Sequence, residues 1–119
     1  MVTTADPFNL QRFVDAQSGG VYERALGEIQ AGEKQSHWMW FIFPQHVYLG
    51  RSPNAKFYGL SGAEEAEAYL AHPLLGPRLR ECTAAVRAQL DAGRSLEAMF
   101  GQLDASKFKS SVQIFGIEA

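Results

Sequence analysis

The fold is decided at residues 34–45, KQSHWMWFIFPQ, which hold both tryptophans and the longest apolar run of the chain. No position from Trp38 to Phe43 is polar, so the run lacks the polar face of an amphipathic helix. Its aromatic and β-branched content favours a strand. Pro44 ends the run, because proline donates no backbone hydrogen bond and pushes the preceding residue out of the helical region. We therefore predict a buried strand or extended segment over 38–43.

Length and composition set the broad class. A chain of 119 residues predicts one domain, which we place at 9–119 behind a flexible N-terminus, 1–8. A net charge of −2 with mixed signs argues against the clustered basic face of a nucleic-acid-binding protein. The sequence shows neither a membrane span nor a signal peptide. The single cysteine, Cys82, fits a reducing, cytoplasmic compartment and is expected to be a small core residue.

Helical spacing of apolar residues dominates the remainder of the chain. We predict a first helix after Asp6 and Pro7, a loop over 46–54, and further helices at about 21–31, 62–71, 74–92, 96–100 and from 105 onward. The form Ser61-x-x-Glu64 matches a capping box at the start of one of them. With at most two or three short strands, the predicted fold is mainly α, a single helical domain around a buried aromatic segment.

A family resemblance rests on YExALxE at 22–28, on GxKxSHWMWFIFPQ at 32–45, on LGxS at 49–52 and on EAxAYLxHPxLGxRL at 65–79. These motifs resemble the bacterial and fungal family catalogued as domain of unknown function 1810, whose members are sometimes labelled calpastatin. A calpastatin-type inhibitor would be disordered, polar and repetitive, whereas this chain has a core composition. The resemblance implies a compact helical domain and no established activity. It also implies a further helix beyond 109–111, so we expect this chain to lack a final helix, leaving an apolar face that a partner copy could cover.

The candidate catalytic residue is His37, at the point where the chain enters the apolar run. An imidazole titrates near neutral pH and can act as general acid or base when a partner fixes its tautomer. In an extended segment Ser36 and His37 would point to opposite faces, which argues against a nucleophile pair. The alternative is a buried histidine bonded to nearby backbone.

Binding candidates are of two kinds. Tryptophans can stack on a planar ring, although two tryptophans in an apolar run are also typical of a core. Cations and hydroxyl groups can bind phosphate or carboxylate, although single lysines are commonly just solvated. The predicted ligand-binding set is Lys34, Ser36, Trp38, Trp40, Gln45, Arg51, Tyr58, Lys109 and Ser110.

Two hypotheses of function follow. The first is a pocket that binds or hydrolyses an anionic nucleotide-like or ADP-ribose-like molecule, with cleavage at an N-glycosidic bond as the possible reaction. A faint likeness to the family acting on ADP-ribose and riboflavin intermediates adds analogy only. The second is a noncatalytic protein-interaction or self-association domain that uses its C-terminal helix. The scattered histidines, His37, His46 and His72, lack the spacing of a zinc site, and we expect neither metal nor cofactor.

Overall fold

Residues 6–117 are described by the computed structural model, and eight α-helices make up most of that range. They are α1 (Gln11–Ala16), α2 (Val21–Gln30), α3 (Met39–Ile42), α4 (Pro53–Phe57), α5 (Ala63–Ala71), α6 (Leu75–Asp91), α7 (Leu96–Phe100) and α8 (Gln102–Phe115). The predicted mainly α fold is confirmed. Of the predicted flexible segment, residues 1–5 lie outside the described range, whereas Phe8 packs against the core.

The longest helix, α6, buries one apolar stripe against its neighbours. The stripe consists of Leu75, Leu79, Cys82 and Val86, which are at most 1% exposed. Helices α2 and α5 pack against α6, and α5 also packs against α8. A Cβ atom at Gly76 would lie only 2.1 Å from the carbonyl oxygen of Leu70, so this glycine permits the close approach of α5 and α6.

The strand predicted over 38–43 is wrong, because the segment forms the short helix α3. Four residues of the run are nearly inaccessible and recur at helical spacing: Trp38, Met39, Ile42 and Phe43. Trp40 and Phe41 lie on the other side of the turn and are half-buried. A short apolar run carries no periodicity that separates a buried helix from a buried strand. Pro44 ends the element as predicted, since Phe43 leaves helical geometry with ψ of 71°.

The predicted loop over 46–54 holds more structure than expected. A 3-10 turn occupies Val47–Leu49, and α4 begins at Pro53 with the Ser52 Oγ accepting a hydrogen bond from the Ala55 amide at 3.1 Å. His46 pairs with Leu60 in a parallel β-bridge that closes the segment, and no other β-bridge occurs within residues 6–117. The amides of Val47 and Leu60 each donate across this bridge at 2.8 Å.

A buried ion pair ties α1 to the start of α5. Arg12 Nη2 lies 2.7 Å from Glu65 Oε2, with both side chains less than one-tenth exposed. The other Glu65 oxygen accepts hydrogen bonds from the Ser61 amide and hydroxyl, each at 2.9 Å. The helix begins near the predicted position, but the predicted capping box is wrong, because the N-cap is Gly62 without a side-chain cap and Ser61 donates to Glu65 instead of capping the helix. Glu65 is therefore a structural residue.

The last helix, α8, begins at Gln102, three residues before its predicted start. Gly101 adopts φ of 81°, which glycine accommodates readily. It ends α7 and begins α8. Helix α3 packs against both α1 and α8. Within the described range, no helix combines the length and apolarity needed to cross a membrane.

Candidate functional site

Glu28 on α2 organises the polar end of the aromatic segment. Its Oε1 accepts hydrogen bonds from the amides of Gln35 and Ser36, at 2.7 and 2.9 Å, and from the Trp38 indole at 2.9 Å. Its Oε2 accepts from the Ser36 hydroxyl at 2.6 Å. Burial would raise the pKa of Glu28, but these hydrogen bonds outweigh it and lower that pKa to about 2. The carboxylate therefore holds residues 35–38 in place while ionised.

Two predicted ligand-binding residues are thereby committed to the fold. The Ser36 hydroxyl donates to Glu28, and Trp38 is 1% exposed with its indole N–H also on Glu28. Trp38 packs edge-on against Phe100, with ring centroids 6.1 Å apart. Trp38 is therefore a core residue, which was the alternative interpretation of the two tryptophans.

A cleft of about 410 Å³ opens beside this segment, between α3 and the α7–α8 junction. It is lined by Lys34, His37, Met39, Trp40, Phe100, Gly101, Gln102, Leu103, Asp104 and Lys107. The backbone amide of Lys34 donates to the Met99 carbonyl at 2.8 Å, which joins the two walls of the cleft. Residues far apart in sequence therefore meet here.

Charge in the cleft is concentrated on two lysines and one carboxylate. Lys34 Nζ lies 2.9 Å from Asp104 Oδ2, and Lys107 Nζ lies 3.4 Å from Asp104 Oδ1. Of the residues that line the cleft, Asp104 is the one with a carboxylate, whereas Lys34 and Lys107 both carry a positive charge. The cluster therefore keeps a net positive charge. Because the first turn of α8 also lines the cleft, its unpaired backbone N–H groups add positive potential there.

The rings of His37 and Trp40 form the aromatic wall. They are stacked with centroids 6.3 Å apart, and the Lys107 ammonium lies 5.7 Å from the centroid of Trp40. His37 is exposed and Trp40 is half-buried. The buried-histidine alternative is therefore wrong. Among residues 6–117, neither nitrogen of His37 has a hydrogen-bond partner.

A second, much narrower cavity lies behind this wall. It has a volume of about 10 Å³ and shares Met39, Trp40 and Lys107 with the cleft. Its other lining residues are Phe43, Gln45, Ala55 and Tyr58. Two further members of the predicted set, Gln45 and Tyr58, thus lie next to the cleft.

Three predicted residues lie apart from both cavities. Arg51 is exposed beyond the 3-10 turn, and Lys109 is exposed on α8 with its Nζ 3.6 Å from a carboxylate oxygen of Glu97. Ser110 is half-buried and lines neither cavity. The lysine that α8 brings to the cleft is Lys107, two residues away and on a different side of the helix.

Sequence reasoning missed Glu28, Asp104 and Lys107. A usable signal existed for the last two, since their spacing of three puts them on one helical face once α8 begins at Gln102. Placing the helix start at 105 removed Asp104 from that face. Glu28 belongs to the motif at 22–28 on which the resemblance rests, but nothing near it in sequence indicated its partners, which lie seven to ten positions further along the chain.

Comparison with known proteins identifies a matching family and a solved structure with a similar fold. The family described as "Protein of unknown function (DUF1810)" matches residues 7–119. The crystal structure of the conserved hypothetical protein Rv1873 from Mycobacterium tuberculosis is similar at 53% identity with a TM-score of 0.87. The match covers 93% of this chain and 77% of that one. No curated protein matches the sequence.

Proposed function

Because the chain belongs to the DUF1810 family, whose description gives no function, we propose from the cleft alone that it binds a small anionic, nucleotide-like molecule. The observation that carries the proposal is the meeting of Lys34 and Lys107 with Trp40 at one cleft. Ammonium groups form charge-assisted hydrogen bonds with phosphate oxygens, and an indole face accepts a planar ring or a cation. The cleft therefore offers partners for both parts of a nucleotide.

Asp104 supports this arrangement by orienting the lysines. Its two oxygens each hold one ammonium group, which keeps both long side chains directed at the same opening. A carboxylate would repel an anion, so the net attraction depends on two cations outnumbering it, together with the first turn of α8. We expect moderate affinity for this reason.

Catalysis at this cleft would depend on His37. His37 lines the cleft, so hydrolysis of an N-glycosidic bond would use it as the general acid or base. A catalytic histidine is normally oriented by a second group that hydrogen-bonds to it. Within residues 6–117, His37 instead stacks on the ring of Trp40. The proposal is therefore a binding function, with the cytoplasm as the proposed compartment because the lone cysteine fits a reducing environment.

A thermal-shift screen tests the proposal with nucleotides, ADP-ribose, NAD and sugar phosphates. A ligand present at about 100 times its Kd stabilises the native state by roughly 2.7 kcal/mol. We expect this shift in the wild type, a much smaller one in Lys107→Met, and an unchanged one in Lys109→Met, which alters an exposed lysine of the same helix outside the cleft. Equal shifts in all three proteins, or none in any, would contradict the proposal.

A second candidate, a protein-interaction domain, is favoured by a separate observation. Three large apolar side chains are more than half exposed near the 3-10 turn and α4: Tyr48 at 89%, Leu49 at 55% and Phe57 at 55%. This surface differs from the C-terminal helix named by the sequence hypothesis. Sedimentation over a wide concentration range distinguishes the candidates, since self-association raises the mass with concentration and a cleft for small molecules does not.

A further inference from the structure

We infer that the cleft and the narrow cavity behind Trp40 form one two-part site, in which a heteroaromatic ring enters the inner cavity while the anionic group stays at the lysines. This inference rests on the proposed function and specifies its ligand, a nucleoside monophosphate or a molecule of the same two-part chemistry. The inner cavity is defined here as the space between Trp40, Gln45 and Tyr58.

The two cavities share part of their lining. Met39, Trp40 and Lys107 line both of them, so these three residues form the partition. The inner cavity of about 10 Å³ has room for roughly one water molecule. A ring can therefore enter only if part of the partition moves.

Trp40 is the residue of the partition that we infer to move, because it has neither the burial of Met39, which is 2% exposed, nor the ion pair of Lys107. It is half-buried, and the aromatic and cation contacts of its ring are those with His37 and Lys107. Its indole N–H has no hydrogen-bond partner within residues 6–117. Trp38 gives the contrast, since it is 1% exposed and held by Glu28. Rotation of Trp40 would break two ring contacts and no hydrogen bond.

The inner cavity has the chemistry to recognise the edge of a ring. The Gln45 amide and the Tyr58 hydroxyl have no hydrogen-bond partner among the described residues. A glutamine amide presents a donor and an acceptor side by side, which matches adjacent acceptor and donor groups on a nucleobase or a carboxamide. The backbone of Gln45 is fixed, because its carbonyl accepts from the Leu60 amide at 2.8 Å. Phe43 supplies an apolar wall that is fully buried.

Calorimetric titration with two kinds of probe tests this inference. The probes are the four common nucleoside monophosphates plus nicotinamide mononucleotide, and ribose 5-phosphate, which has the anion without the ring. In Gln45→Leu we expect the affinity for the best ring-bearing probe to fall about tenfold, as loss of hydrogen bonds to a bound ligand implies. The affinity for ribose 5-phosphate should not change. Gln113→Leu, an exposed glutamine of α8 outside both cavities, is the matched control.

The possible failures are distinguishable. If Lys107→Met weakens the ring-bearing probe while Gln45→Leu leaves it unchanged, the anion site stands and the inner site is overturned. If Lys107→Met has no effect on any probe, or no probe binds, the proposed function fails and the inference fails with it. Intrinsic fluorescence gives a second measurement: ring entry should change the emission of the wild type and not that of Trp40→Phe. An equal change in both proteins would contradict movement of Trp40.

Discussion

At the scale of single residues, Glu28 explains why a polar motif precedes the apolar run. One carboxylate satisfies two backbone amides, the Ser36 hydroxyl and the Trp38 indole. The sequence analysis placed Ser36 and Trp38 in a binding site because polar groups beside an apolar run need partners. Those partners exist, but they belong to the protein itself. The residues left for a ligand are those that Glu28 does not hold, above all His37 and Trp40.

Substitution of this carboxylate should be costly. Glu28→Gln removes the charge and places an amide NH₂ group among donors, so we expect the free energy of unfolding at pH 7 to fall by about 3 kcal/mol. Glu23→Gln, an exposed change on the same helix, should change it by less than about 0.5 kcal/mol. Urea titration of both variants measures the difference. A loss below about 1 kcal/mol in Glu28→Gln would contradict the role assigned to Glu28.

The same residue sets the direction of a pH effect. The pKa of Glu28 is lowered from 4.5 to about 2 in the folded protein, so its contribution to stability is fully present above about pH 4.5. It is lost as the pH falls from there toward 2. The stability difference between wild type and Glu28→Gln should therefore shrink over this window and remain constant between pH 6 and 8.

At the scale of helices, apolar patterning located most elements, missed the 3-10 turn and α4, and misjudged two others. Stripes such as that of α6 were long enough to show their period, so helix type followed directly from the sequence. The run over 38–43 was too short and too uniformly apolar to do so, and its aromatic content pointed to the wrong element. The start of α8 was misplaced because glycine at 101 both ends α7 and begins α8. Each error changed which residues were expected to lie together. Because of the second, Lys109 was selected as a candidate although Lys107 is the lysine of α8 that lines the cleft.

The close contact between α5 and α6 depends on glycine at position 76, which has no Cβ atom. Gly76→Ala would place a Cβ 2.1 Å from the Leu70 carbonyl oxygen, so we expect it to reduce the free energy of unfolding by about 2 kcal/mol. Gly27→Ala lies within α2 with nothing within 4 Å of the new Cβ. It should stabilise the protein by up to about 1 kcal/mol, because alanine is the better helix former. Thermal unfolding of the pair should therefore show opposite signs. Stabilisation by both changes would show that α5 and α6 do not approach as closely as described.

At the scale of the molecule, the cleft exists because distant parts of the chain meet. Lys34 and Trp40 come from the segment around α3, and Asp104 and Lys107 come from α8. No sequence spacing could reveal that Asp104 pairs with a lysine seventy positions earlier, since tertiary packing decides this contact. The sequence did identify the aromatic segment and several of its cleft residues. Six of its ten lining residues lie at 100–107 and could be found only from the fold.

The two tryptophans provide the most direct measurement of the central claim. In a ¹H–¹⁵N correlation spectrum each indole N–H gives one signal, and Trp40→Phe assigns them. Titration with AMP or ADP-ribose should shift the Trp40 signal to saturation and leave the Trp38 signal in place, because Trp38 is buried and bonded to Glu28. If the Trp40 signal does not move at millimolar ligand, the cleft beside Trp40 is not a binding site for these molecules.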